Sequence, residues 1–270
     1  MKYAELKKIY EKYEKEEKIL SNNYNEKFQI LMKEYDNFYD KYINEENMSD
    51  KERSWINEMS SKDLKEVWYN TGIKESNIRL FREYFFSYVD GCIAVRNEMM
   101  RTKKKTLVYS YLFNLSHLIE LNIKLLKVEE IKGFEDITGM HNIAELYKNK
   151  KQEFIDLGLE ENVYNELIYQ INELKKYVTR DDIPMCFKYP LDKDFNNLII
   201  TQELMELSFE DVEKLVNNQM NTLLIMILNY MLICIQRYKE FIILFENGID
   251  ELKEGMLYID NVLEKRKKQE

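Results

Sequence analysis

The sequence predicts an all-α protein, a bundle of long helices with few connections, and three observations carry that expectation. Seven glycines and two prolines in 270 residues leave few of the turns that sheets require. The first seventy-one residues contain neither. Apolar residues recur at steps of three and four rather than two. At 45% hydrophobic and 33% charged, the chain has ample material for a core and is not a disordered polymer.

The first element is a long helix. Apolar or aromatic residues fall at Tyr3, Leu6, Tyr10, Tyr13, Leu20, Tyr24, Phe28, Leu31, Tyr35, Phe38 and Tyr42, with Glu17 in one expected apolar place. Steps of three and four, with a four-four step around Tyr24, make a heptad seam with one stutter. This predicts a coiled-coil-like helix of about forty residues, some 60 Å long. Its seam is rich in tyrosine, which favours docking on the chain's own domain or on a partner over a parallel dimer. A short helix is expected to restart at Ser49-Asp-Lys-Glu52, which has capping-box spacing. Residues 1–60 thus form the first region.

The second region, 61–200, reads as the organised core. A helix over 74–101 places Ile78, Phe81, Phe85, Val89 and Ile93 on one side, and Arg101-Thr-Lys-Lys-Lys105 is a basic connection. A strongly apolar helix follows at 107–128, then a loop with Gly133 and Gly139. A helix starts near His141, and another covers about 160–178. Pro184 and Pro190 predict a largely non-helical 180–197. The third region, 201–270, begins at Ser208-Phe-Glu-Asp211 and is expected to be a helical pair, broken near Gly248, packing on the core.

Charge and cysteine content narrow the partners. A net charge of −9 gives no global attraction to nucleic acid, so RNA or nucleotide binding requires a local basic patch. Arg101, Lys103, Lys104, Lys105, Arg180 and Lys188 are the candidates. Cys92, Cys186 and Cys234 suit neither a disulfide framework nor a zinc site, and the expected setting is a reducing cytoplasm. The opening residues lack the apolar stretch of a signal peptide. Residues 222–235 run apolar for fourteen residues around Asn229, too short to span a bilayer, and read as a buried core helix.

Chemistry is sought at the two histidines. His117, Glu120 and Lys124 share one helix face through i, i+3 and i+7 spacing, either as a buried network whose charges satisfy one another or as a polar stripe lining a cleft. His141 follows Gly139 at a helix start, where it either caps backbone amides or meets an anion. No pair or triad of ligands is visible, so no metal and no cofactor is expected.

At these residues the sequence resembles a family. His117-Leu-Ile-Glu120-Leu-Asn-Ile-Lys124-Leu, then Gly139-Met-His141-Asn-Ile-Ala-Glu-Leu146, then Phe187-Lys-Tyr-Pro-Leu-Asp192 are similar in type and order to the HEPN superfamily. The superfamily comprises helical-bundle domains common in bacterial toxin–antitoxin, abortive-infection and other phage-defence loci. The likeness covers about 107–195, a third of the chain. It implies a HEPN-like core and a role in antiviral defence. Active HEPN ribonucleases carry arginine four to six residues before histidine. Here the corresponding positions are Ser110, Tyr111 and Leu112 before His117, and Phe134, Glu135 and Asp136 before His141. The resemblance therefore implies partner or ligand binding rather than the usual RNA cleavage. Two alternatives stand beside it. One is a metal-independent defence endoribonuclease with a rearranged site around His117, His141 and Arg101 or Lys188; the other is a purely structural scaffold. Assembly is expected through the N-terminal helix, with a protein partner or with itself, and no membrane is involved.

Overall fold

The structure, a computed structural model, describes residues 2–42, 54, 82–130, 143–178, 183–188, 204 and 206–267. Of these, 92% are helical and none lies in a strand, so the protein is all-α. The helices are α1 (Tyr3–Tyr42), α2 (82–102), α3 (Leu107–Glu130), α4 (Ile143–Asn149), α5 (Lys151–Asp156), α6 (Glu161–Lys175), α7 (Ile183–Lys188) and α8 (Phe209–Lys267). The chain groups into two compact units, residues 1–15 with 76–233 and residues 16–75 with 234–270.

In the smaller unit, α1 and α8 pair side by side in the same direction. The seam is aromatic: Tyr24 packs on Tyr238, Phe241 and Phe245, with centroids 5.5, 5.9 and 5.3 Å away, and Phe28 lies 5.7 Å from Phe245. Leu31 and Phe38 continue it against Ile242, Ile249, Leu252 and Ile259. Lys239–Glu16, Lys27–Glu246 and Lys41–Asp260 pair at 2.9, 2.7 and 2.7 Å along its flanks. Such exposed pairs add little stability, and they match register as flanking positions of a coiled coil do. From Leu20 to Phe38 the heptad seam expected for α1 is therefore covered within the chain itself. Each large side chain buried there contributes about 1.5–3 kcal/mol.

In the larger unit, α3 buries one broad apolar face, through Val108, Tyr111, Leu112, Leu115, Leu118, Ile119 and Ile123. It packs on α7 and α4, and α4 packs on α6. Phe85 of α2 stacks on Tyr230 of α8 at 5.1 Å. The α2 face runs through Phe85, Val89, Cys92 and Met99, while Ile93 is exposed, so Ile93 does not belong to the buried side expected for it. Ser208 caps α8 as its sequence implies: the Asp211 amide donates to Ser208 Oγ at 3.1 Å, and Ser208 Oγ donates to Asp211 Oδ2 at 2.7 Å.

A glycine turn joins α5 to α6. Gly158 has φ +102°, and the Leu159 and Gly158 amides donate back to the Phe154 and Ile155 carbonyls at 2.9 Å each. This is the left-handed helix ending that glycine serves. The carbonyl of Gly158 then accepts the Tyr13 hydroxyl at 2.8 Å, fixing the start of α1 to the same unit.

The helix expected to begin near His141 is described from Ile143, as α4, with α5 following from Lys151. Two expectations need correction. The stretch 180–197 contains α7, because Pro184 lies in its first turn, where the missing amide has no intrahelical partner to lose. The final region is not a helical pair: α8 runs unbroken through Gly248 and Gly255. A helical glycine costs only about 1 kcal/mol, which the packed seam outweighs. The short helix from Ser49 and the loop with Gly133 and Gly139 lie outside the described residues.

The apolar run also has its place. Phe209–Asn261 is long and apolar enough to cross a membrane by length and composition alone, yet 67% of its most apolar window is buried inside the fold. None of the three cysteines is in a disulfide and all are buried, and burial pushes the Cys92 thiol up to about 12, leaving it unreactive.

Gly255 gives a direct test of α8. A Cβ there meets nothing within 4 Å. Gly255→Ala is expected to stabilise the protein by about 0.5–1 kcal/mol, chiefly by restricting the unfolded chain. A thermal melt with an unchanged or lower midpoint would contradict a continuous helix at this position.

Candidate functional site

The structure brings together the three polar residues of α3. Lys124 Nζ lies 2.5 Å from Glu120 Oε1, and His117 Nδ1 lies 3.5 Å from Glu120 Oε2. All three side chains are largely buried, at 17%, 10% and 19% exposure for Lys124, Glu120 and His117. Spacing alone accounts for the meeting, since residues three and four apart on a helix are neighbours. Burial opposes ionisation of Glu120. The hydrogen bonds from His117 and Lys124 and the Lys124 charge overcome it, and bring the carboxyl down to about 2. The imidazole is held by aromatic rings, Phe113 edge-on at 4.6 Å and Tyr88 at 5.5 Å. The cluster is a charge-balanced polar patch with an aromatic wall. No arginine is among the hydrogen-bond or ion-pair partners of His117 among the described residues.

The basic connection is largely engaged in ending α2 and starting α3. Arg101 makes a two-pronged contact with Glu98, at 2.8 and 2.6 Å. Lys103 adopts a left-handed conformation, φ 58°, and its amide donates to the Met99 carbonyl at 2.9 Å. Its ammonium lies 4.6 Å from the centre of the Phe209 ring. Lys105 Nζ donates to the Leu207 carbonyl at 2.9 Å. Lys104 is exposed. Three of the four basic side chains thus have local partners. His141 and Arg180 lie outside the described residues, as does the side chain of Lys188.

Sequence reading missed a second polar system, deeper in the same unit. Asn122 of α3, Tyr147 of α4 and Asn229 of α8 meet in the core, at 0%, 0% and 1% exposure. Asn122 Oδ1 accepts the Tyr147 hydroxyl at 2.9 Å and the Asn229 amide at 3.0 Å, and Asn122 Nδ2 donates to the Met226 carbonyl at 3.0 Å. The Tyr147 hydroxyl carries one proton, and Ile119 O at 3.2 Å is its other oxygen acceptor. Asn229 Oδ1 has no partner. A second ladder joins α6 to α8: Thr222 to Gln219, Gln219 to Gln170 and Gln170 to Glu166, at 2.9, 3.1 and 2.9 Å. The only advance signal was polar residues at helical spacing inside apolar runs, Asn229 among them. These networks fix the register of the core helices.

No family model, curated protein or solved structure matches the chain.

Proposed function

We propose that the protein is a HEPN-like helical component of a bacterial phage-defence or toxin-related system, acting by binding a partner or ligand rather than by cleaving RNA. The ordered motifs around His117, His141 and Phe187 support the family reading. One observation supports binding over cleavage: the charged group beside His117 is the Glu120 carboxylate, 3.5 Å away. Metal-independent RNA cleavage needs a base for the 2′-hydroxyl and a cation for the scissile phosphate. A carboxylate held ionised beside the imidazole repels that phosphate, and Lys124 already neutralises the carboxylate rather than standing ready for a substrate.

The test combines purified protein with labelled single-stranded RNA, and phage challenge of cells expressing the chain together with its neighbouring genes. Wild type and His117→Ala are both expected to leave the RNA intact. Protection is expected to fall in the variant while its melting temperature stays within a few degrees of wild type. RNA products formed by wild type and absent with His117→Ala would replace this reading with the rearranged ribonuclease.

A further inference from the structure

The side of α8 that faces away from α1 is a second seam, whose large apolar side chains are exposed. Ile243 is 57% exposed, Leu257 64% and Tyr258 54%, all on a helix whose opposite side is buried. Ile243 and Leu257 are two heptads apart, about 21 Å along the axis. The seam positions between them are polar: Asn247, Asp250 and Glu254, with Glu251 alongside, all exposed. Asp250, Glu251 and Glu254 have no ion pair among the described residues; Asp250 adds only its field at Lys27, which Glu246 holds on the flank of the other seam. At 3.6 residues per turn, no lysine or arginine falls within about 60° of the centre of this face between 240 and 261.

Charge selects the occupant. A second copy in parallel register sets Asp250 against Asp250 and Glu254 against Glu254. In antiparallel register the two-fold axis falls near Asp250 and again brings carboxylates together. Like charges on a seam oppose self-pairing, as they do in coiled coils that choose their partners. Anionic lipid and nucleic acid are repelled for the same reason. An amphipathic helix with apolar residues two heptads apart and lysine or arginine between them satisfies both ends and the centre.

We propose that the outward face of α8, from Ile243 to Leu257, is a docking seam for a basic amphipathic helix of a partner protein. The site is independent of the cluster around His117 and stands whether or not that cluster binds anything. It places the assembly surface on α8, since the α1 seam is already filled.

Two labelled 21-residue helical peptides test it on the full chain by fluorescence anisotropy. Both carry leucines two heptads apart; one has lysine at the intervening seam positions, the other glutamate. The lysine peptide is expected to bind at least tenfold more tightly at low salt, with the gap narrowing in 0.5 M salt. Asp250→Lys with Glu254→Lys, both on exposed positions, is expected to reverse the preference, and Leu257→Gln to weaken the lysine peptide several-fold. Equal affinities for the two peptides, or an unchanged preference in the double variant, overturn the proposal. So does a dimer in light scattering, or sedimentation with phosphatidylserine vesicles, that Ile243→Gln with Leu257→Gln abolishes, because either gives the face to another occupant.

Discussion

Asn122→Leu is expected to destabilise the protein by about 3 kcal/mol, although leucine keeps the same branching and number of side-chain heavy atoms. Asn122 Oδ1 serves two buried donors at once, the Tyr147 hydroxyl and the Asn229 amide. Tyr147 can turn to the Ile119 carbonyl, but Asn229, already with an unpartnered oxygen, is left without its amide partner as well. Each stranded buried group costs about 1–3 kcal/mol. Asn229→Leu alone removes that orphan and leaves Asn122 with Tyr147, so it is expected to stay within about 1 kcal/mol of wild type. The double variant should recover most of the loss, because replacing both partners of a buried pair by apolar groups is nearly neutral. Urea denaturation of the four proteins closes the cycle. Strictly additive effects would show that the two asparagines do not act as a pair.

The parts of this fold that were legible are those whose cause is local. Ser208 and Asp211, three apart, cap α8 where the sequence places the start of the last region. His117, Glu120 and Lys124 meet because one helix carries them at i, i+3 and i+7. The α1 seam was legible too, down to its stutter: Leu6 and Tyr13 are buried a heptad apart, Tyr24, Leu31 and Phe38 likewise, and the change of phase falls at Leu20–Tyr24. What covers that seam was not legible, since Lys41 meets Asp260 across 219 residues of chain.

Gly248 shows how a local rule misleads. Tyr238, Ile242, Phe245, Ile249, Leu252, Met256 and Ile259 step by four and three without interruption past both glycines. All seven belong to the cluster on the α1 seam, as buried or half-buried side chains. Weighing one glycine at about 1 kcal/mol against several burials at about 1.5–3 kcal/mol each would have predicted a continuous helix. The Asn122 network gave no such opening, because its partners are 25 and 107 residues away. A single asparagine in an apolar run signals a buried partner without saying which.

Glu120 is expected to give the protein a component of acid sensitivity that one substitution removes. Its carboxyl sits at about 2 in the folded chain against an ordinary 4.5. At about 1.4 kcal/mol per unit of pKa, that depression corresponds to roughly 3 kcal/mol of stability. Because the folded value is the lower one, the contribution is fully present above about pH 4.5 and is lost as the pH falls toward 2. Glu120→Gln keeps the shape and removes the charge, so it leaves the buried Lys124 ammonium without its counter-ion. The variant should be about 2–3 kcal/mol less stable than wild type at pH 7, the Lys124 tip recovering part of the loss by turning toward solvent. The difference should shrink steadily below pH 4.5, as the unfolded wild-type chain takes up a proton at Glu120 that the folded chain still excludes. Pairing Glu120→Leu with Lys124→Met should restore most of the stability, since a buried ion pair is commonly replaceable by apolar residues of similar volume. Urea midpoints of wild type and Glu120→Gln, compared at each pH from 7 to 3, isolate this group from the titration of every other carboxylate. A difference that is the same at pH 3 as at pH 7 would mean that Glu120 stabilises the fold by its packing and not by its charge.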